Sequence, residues 1–474
     1  ITFTLALIIL VAGSYVYGKY ISRMFGIDEK RATPAMTKND GVDYIEMPTW
    51  KIFMIQFLNI AGLGPIFGAI MGAKFGTSSY LWIVLGTIFA GAVHDYLSGM
   101  VSLRNDGASL PQIVGKYLGK RTEKVMIVFT VLLMVLVVAV FVLQPAQLIA
   151  GMTPTNLNVY FWVVVIFAYY LIATILPIDK VIGNVYPLFG GALMFMAIGI
   201  LVVLFIKQPA LPEMWNGFGT KYEAGPIFPM MFISIACGAI SGFHATQSPL
   251  MARCMNSEGE ARMVFYGSMI TESIIALIWA AIGMAFFGGA DGLVANLAEH
   301  GNEAAWAVGH ISKTTLGAVG GMIALFGVVS AAVTSGDTAF RSARLIVADV
   351  LKIEQRSIPK RLAISLPLFA IGTVLLFVDF DIIWRYFAWF NQSMSVVTLW
   401  VIVVYLKEHN RNIWVALPGA IFMTYICTTF IFTSNQFIGM GSTPLSYLLG
   451  ALSTLIITGL MWKMVVVKRS KKLN

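Results

Sequence analysis

Charged side chains are scarce in this sequence. Asp, Glu, Lys and Arg make up 12% of its 474 residues, about half their share in a soluble domain. That shortage excludes an ordinary water-soluble domain, whose surface needs more ionic groups. Cysteine is nearly absent too: Cys237, Cys254 and Cys427 are the three present. They lie in or beside apolar runs without a CxxC pair, so their spacing suggests neither a disulfide framework nor a metal site. A GxxxxGK[ST] phosphate loop is missing, and with it the usual sign of ATP as a direct energy source. The net charge of +9 does not make a nucleic-acid surface, because the basic residues flank apolar spans, as membrane topology requires. The chain opens on Ile1, so residues are expected to precede it. The first apolar run lacks a small-residue cleavage site, so no cleavable signal peptide is expected.

Long apolar runs are what the sequence has instead. Hydrophobic residues reach 58%, and about 20 in a row suffice to cross a bilayer. Thirteen segments qualify, near 1–18, 50–73, 78–100, 125–149, 156–177, 182–206, 227–250, 262–288, 316–340, 360–378, 382–406, 411–433 and 443–466. Counting Lys and Arg at span ends with the neighbouring loop, 27 follow odd-numbered spans and 4 follow even-numbered ones, with Arg385 alone inside a span. A missed helix would scramble that parity. The positive-inside rule then puts the N-terminus outside and the KRSKKLN tail in the cytoplasm. The segment 289–315 is expected outside, partly amphipathic and placed to act as a lid.

Two spans carry a shared interruption. Phe57–Gly62 reads FLNIAG and Phe232–Gly238 reads FISIACG. They open the second and seventh spans, an offset of five, so the units they begin are inverted relative to each other. Glycine clusters follow both, and the second adds the polar run HATQSP. Paired, unwound helices of this kind form mid-membrane binding sites in secondary transporters with inverted repeats. Irregular backbone at that depth is tolerated only where it lines protein or a wet cavity. The competing reading is close helix packing at Gly62, Gly64, Gly238 and Gly242. The resulting expectation is an all-α, polytopic bundle of the LeuT-like (amino acid–polyamine–organocation) plan. A leading helix and loop (1–49) precede two five-helix repeats (50–206 and 227–406), with two trailing helices and a basic tail (411–474).

Polar residues inside spans are costly and usually face the bundle interior. His244, Gln247 and Ser248 share one helix face, and with Asn59, Ser241, Asn391 and Gln392 they are candidate substrate contacts around the glycines. Thr334, Asp337, Thr338 and Arg341 fall on one face as well, a candidate cation or coupling face; the competing reading is an Asp337–Arg341 ion pair at the cytoplasmic mouth. In the LeuT-like plan Thr334 and Ser335 are the hydroxyls that meet carbonyls of the first broken helix around a cation. Glu272 lies ten residues into its span, about 15 Å deep at 1.5 Å per residue, which makes it a coupling-ion candidate. His94 and Asp95 are candidate gating groups with Arg341. Adjacent residues point in different directions, so the pair need not touch. Arg385, Asp379 and Asp381 read as an outer ion-pair group.

Six stretches carry a family resemblance: KNDGVDYIEMPTW (38–50), AGLGPIFGAIMGAKFG (61–76), HDYLSGM (94–100), LRNDGASLPQIVGKYLG (103–119), SGFHATQSPLMARC (241–254) and TSGDTAFRSAR (334–344). Together they are similar to the carbon starvation protein A family over roughly residues 1–360. The longest members carry further C-terminal spans, whose role is not expected here. The resemblance implies a bacterial cytoplasmic-membrane importer of peptides or pyruvate, used when preferred carbon runs short, with no cofactor, nucleic acid or obligate protein partner. A proton or sodium gradient would drive it. The alternatives are an uncoupled facilitator and, less favoured, a membrane metalloenzyme in which His94 and His244 meet through space.

Overall fold

The computed structural model describes residues 1–175, 178–216, 224–355, 357–378 and 380–473, without the side chains of 175, 178–185, 187, 216, 380–381 and 466–473. Each of the thirteen expected segments contains helix, and no strand occurs among the described residues. Helix α1 (Thr2–Phe25) leads. The second span is a pair, α2 (Thr49–Ile60) and α3 (Gly64–Ala73), bent by 53°. Then come α4 (Ser78–Leu103), α5 (Lys120–Ala150), α6 (Val159–Ile175) and α7 (Ile178–Lys207). The seventh span is three pieces: α8 (Met230–Ser234), α9 (Ala236–Ala239) and α10 (Gly242–Ala252). After it follow α11 (Glu258–Phe286), α12 (Ala304–Leu351), α13 (Ile358–Leu375), α14 (Phe380–Glu408), α15 (Leu417–Thr433) and α16 (Pro444–Leu473).

Among the described residues nine helices are long and apolar enough to cross a membrane, and ten if the bent pair counts as one span. The difference from thirteen has a plain cause. Helices α6 and α15 have 17 residues each, about 25 Å at 1.5 Å per residue, and the seventh span is cut into short pieces. Within 289–315 lie a helix at Ala290–Glu299 and the start of α12. At Gly317 (φ 72°) α12 changes direction before its long apolar stretch.

Solvation is inverted relative to a soluble protein. Leu5, Ile8, Ile9 and Val16 on α1, and Leu455, Ile456 and Leu460 on α16, are exposed. Gln56, Asn59, His94, Asp95, His244, Gln247, Glu272, Asn391 and Gln392 have no exposed surface at all. An apolar belt outside and polar groups inside is what a bilayer selects. The chain is a multi-pass membrane protein. At its centre the two interrupted spans meet: α9 packs on the first turn of α3, while α10 packs on α2 and α4. Helices α11, α12 and α14 close around them.

Candidate functional site

The first break falls where the glycines put it. Ala61 leaves the helical region (φ −79°, ψ 41°) and α3 resumes at Gly64. The second break is at Ile240 (φ −160°, ψ 141°) and Ser241 (φ −147°, ψ 124°), which are extended. Both readings of the glycines hold at once. A Cβ on Gly64 would stand 2.1 Å from the Cys237 Cβ, and one on Gly242 would stand 2.4 Å from the Asn391 carbonyl oxygen. Only glycine lets the breaks approach each other and α14 this closely.

Side chains from distant helices hold the second break open. The Oδ1 of Asn391 accepts from the Phe243 N–H at 2.7 Å and from the Ser241 hydroxyl at 3.0 Å. Its Nδ2 donates to the Cys237 sulfur at 3.5 Å. Next to it, Gln392 Nε2 donates to the carbonyls of Ala236 (2.9 Å) and Ile240 (3.2 Å). Thr87 Oγ1 reaches the Gly238 carbonyl at 3.4 Å and Ser273 at 2.7 Å. Helix ends leave backbone donors and acceptors unmatched, and these residues supply the partners. Asn391, Gln392 and Ser241 thus shape the break directly.

Beside the break runs a buried chain of ionisable groups. His94 Nδ1 lies 2.8 Å from Asp95 Oδ1, and His244 Nδ1 lies 2.8 Å from Asp95 Oδ2. The neighbours His94 and Asp95, which adjacency left free to pair or not, do pair, and both rings converge on one carboxylate. The Nε2 of His244 approaches Glu272 Oε2 at 3.4 Å. No hydrogen bond forms there: both Glu272 oxygens and His244 Nε2 lack a hydrogen-bond partner. Nearby polar groups fare differently. Ser248 bonds the His244 carbonyl of its own helix at 3.0 Å, while Gln247 bonds Thr246 through Nε2 and leaves Oε1 without a partner. Asn59 and Gln56 are buried with no hydrogen bond to any side-chain polar atom. Gln56 escaped the sequence reading, although its i, i+3 spacing from Asn59 places both on one face of α2.

The α12 residues form a second group. Ser335 donates to the Leu58 carbonyl on α2 at 2.8 Å, joining the two elements expected to flank a cation. Thr334 and Thr338 instead bond carbonyls within α12. Asp337 accepts from the Tyr186 hydroxyl at 3.2 Å. Arg341 reaches Asp43 at 3.3 Å, with Arg344 at 3.7 Å from the same carboxylate. Asp43 belongs to the loop before α2 and was not singled out in the sequence. Burial alone would raise its pKa, but Arg344, Arg341 and Arg253 outweigh burial and hold it below the usual carboxylate range. Gating was expected of His94, Asp95 and Arg341 together; the structure places the first two at the break and Arg341 at this loop. The proposed outer group is partly outside the described residues: Asp379 and the Asp381 side chain are not described. Arg385 is exposed and lines a cavity of about 460 Å³ with Lys74, Ser234 and Trp384.

The likenesses to known proteins agree with this geometry. Among solved structures, the Eremococcus coleocola manganese transporter mutant H236A superposes with a TM-score of 0.55 at 13% identity, over 90% of this chain and 97% of that one. MhsT in complex with L-phenylalanine superposes at 0.54 and 16% identity, over 89% and 99%. At such identities the likeness is one of fold alone, the LeuT-like fold. An uncharacterised membrane protein of Haemophilus influenzae is 42% identical over 330 residues, covering 59% of this chain and 89% of that one. The peptide transporter CstA of Campylobacter jejuni is 30% identical over 58% of this chain and 48% of its own length. The pyruvate/proton symporter BtsT of Escherichia coli is 28% identical over 57% and 46%. The chain spans about half the length of these two named transporters. The model of carbon starvation protein CstA matches residues 1–154 and 146–281, more than half of the sequence, and the chain therefore belongs to the CstA family.

Proposed function

We propose that this chain is a secondary active transporter that imports a small carboxylate-bearing nutrient, a peptide or pyruvate, across the bacterial cytoplasmic membrane. The observation that carries the proposal is the meeting of two broken helices in a fully buried polar centre. Unwound backbone at that depth exposes helix-end dipoles to a bound solute. The N-terminus of α10 at Ser241–Phe243 suits a carboxylate. The family's named members are transporters, and the reading is of a transporter rather than an enzyme.

The arrangement behind it is thirteen spans, with 50–206 and 227–406 as inverted repeats, the N-terminus outside and the C-terminal tail in the cytoplasm. Substrate sits among Asn59, Gly62, Gly64, Gly238, Ser241, His244, Gln247 and Ser248, with Asn391 and Gln392 shaping the break. A proton or sodium ion drives uptake. Two places offer oxygen to a cation: the unpartnered carboxylate of Glu272, and the Ser335–Leu58 junction with Thr334, Asp337 and Thr338 beside it. His94, Asp95 and Arg341 move as the bundle rocks.

The test is uptake of labelled pyruvate and of a labelled dipeptide into proteoliposomes under separately imposed proton and sodium gradients. Accumulation above equilibrium with one gradient, lost in Glu272→Gln or Asp337→Asn, is expected. Gradient-independent equilibration would make the chain a facilitator. No flux of either compound would remove the proposed substrates.

A further inference from the structure

Three side chains next to the second break face one another, and they are of a kind that binds metal. The Sγ of Cys237, a ring nitrogen of His244 and a carboxylate oxygen of Glu272 lie within 4.8 Å of one another, and all three residues are buried. We propose that Cys237, His244 and Glu272 form a site for a transition-metal dication, with Zn²⁺ as the type.

Four features converge. The first is geometric. Bonds of about 2.0–2.1 Å to nitrogen and oxygen in a tetrahedral shell separate two ligand atoms by about 3.4 Å. His244 Nε2 and Glu272 Oε2 stand 3.4 Å apart, without a hydrogen bond between them. The second is orientation. Asp95 holds His244 Nδ1 at 2.8 Å. An Nδ1–H donated to that carboxylate leaves the Nε2 lone pair pointing away from it, the usual outer support of a metal-bound histidine. Asn391 Nδ2 likewise backs the Cys237 sulfur at 3.5 Å. The third is desolvation. A fully buried carboxyl group with neither oxygen hydrogen-bonded is costly, and coordination to a dication would give its oxygens a partner. A dication with one thiolate, one carboxylate and one neutral imidazole carries no net charge in total, which suits a low-dielectric interior. The fourth is ligand type: a mixed sulfur, nitrogen and oxygen set favours zinc-like metals over magnesium or calcium. Three protein ligands leave one position for water or a solute carboxylate.

Cysteine spacing did not suggest this site, since its ligands stand at 237, 244 and 272 with no short motif. They flank the break: Cys237 comes before Ile240–Ser241, His244 after it, and Glu272 from α11. A bound metal therefore ties the two halves of the broken span to a third helix. It also occupies the carboxylate proposed above for the coupling ion. Metal and coupling ion are alternative occupants, so Zn²⁺ is expected to suppress uptake.

The experiment uses the purified full chain, stripped with a chelator and titrated with Co²⁺. One equivalent should produce tetrahedral visible bands and a thiolate-to-cobalt charge-transfer band, both displaced by Zn²⁺. Cys237→Ser should abolish the charge-transfer band, while Cys254→Ser and Cys427→Ser, at the two other buried cysteines, should keep it. Glu272→Gln should weaken Co²⁺ at least tenfold. Because either site variant can disturb folding, X-ray absorption on Zn²⁺-loaded wild type provides a measurement free of mutation. One sulfur at about 2.3 Å with nitrogen and oxygen at about 2.0–2.2 Å is expected. A wild-type protein with no cobalt bands, or a charge-transfer band surviving Cys237→Ser, would overturn the site. The inference rests on the fold and not on the substrate. Uptake without metal binding removes the metal site alone, and metal binding without uptake of pyruvate or dipeptide removes the proposed substrates alone.

Discussion

Replacing Asn391 by leucine tests whether the second break is held open by α14. The side chain is fully buried, and leucine keeps its branching and its number of heavy atoms while removing every polar one. What disappears is the acceptor for the Phe243 N–H at 2.7 Å and the Ser241 hydroxyl at 3.0 Å. Phe243 is 1% exposed, so water cannot replace the lost partner of its N–H. A buried donor left without a partner costs about 1–3 kcal/mol. Applied to the equilibrium between open and regular backbone at Ile240–Ser241, that is a shift of about 5- to 150-fold. Purified Asn391→Leu should melt below wild type, and its uptake should fall by a factor within that range. Asn391→Asp keeps the acceptor oxygens and puts a negative charge at the N-terminus of α10, where the helix dipole favours it. It should retain more stability than the leucine variant. A leucine variant that melts and transports like wild type, or an aspartate variant worse than leucine, would show that the break persists without this clamp.

Three further variants have expected outcomes. Asp43→Asn removes a buried carboxylate facing Arg341 and Arg344, and breaking such a pair costs about 3–5 kcal/mol, read as a lower thermal midpoint; a midpoint equal to wild type would refute the pairing. Since the folded pKa of Asp43 is depressed, its contribution is present above the ordinary aspartate value of about 3.9 and is lost as pH falls through the folded value. The stability difference between wild type and Asp43→Asn should therefore stay constant from neutral pH down to about 4 and shrink below it. Gly64→Val places a branched side chain where even a Cβ meets Cys237 at 2.1 Å; overpacking of this kind costs about 1–3 kcal/mol or more, and normal uptake with an unchanged melt would contradict the close approach of the two breaks. Ser335→Ala deletes the hydroxyl bonded to the Leu58 carbonyl, and sodium-dependent uptake, if present, should need a higher sodium concentration; an unaltered sodium response would take this junction out of the coupling path.

Much of this architecture is a local property of the chain. Whether a segment is apolar for twenty residues, and whether glycine interrupts it, is written in consecutive letters, and hydrocarbon enforces helix wherever water is absent. The breaks at Ala61–Leu63 and Ile240–Ser241 were legible for that reason, as was the burial of Asn59, His244, Glu272 and Asp337, since ionisable and amide groups within apolar runs have few other places to go. Partnership was not legible. Asp95 meets His244 across 149 residues, Asn391 meets Phe243 across 148, and Arg341 meets Asp43 across 298. No periodicity encodes such distances. They arise from which helix faces pack together, a sum of many small contacts along the whole bundle. So sequence alone determined that polar groups lie inside a broken-helix bundle. The tertiary structure decided that His94 and His244 share one carboxylate, that Arg341 answers to a loop aspartate, and that Cys237 and Glu272 stand beside the same imidazole.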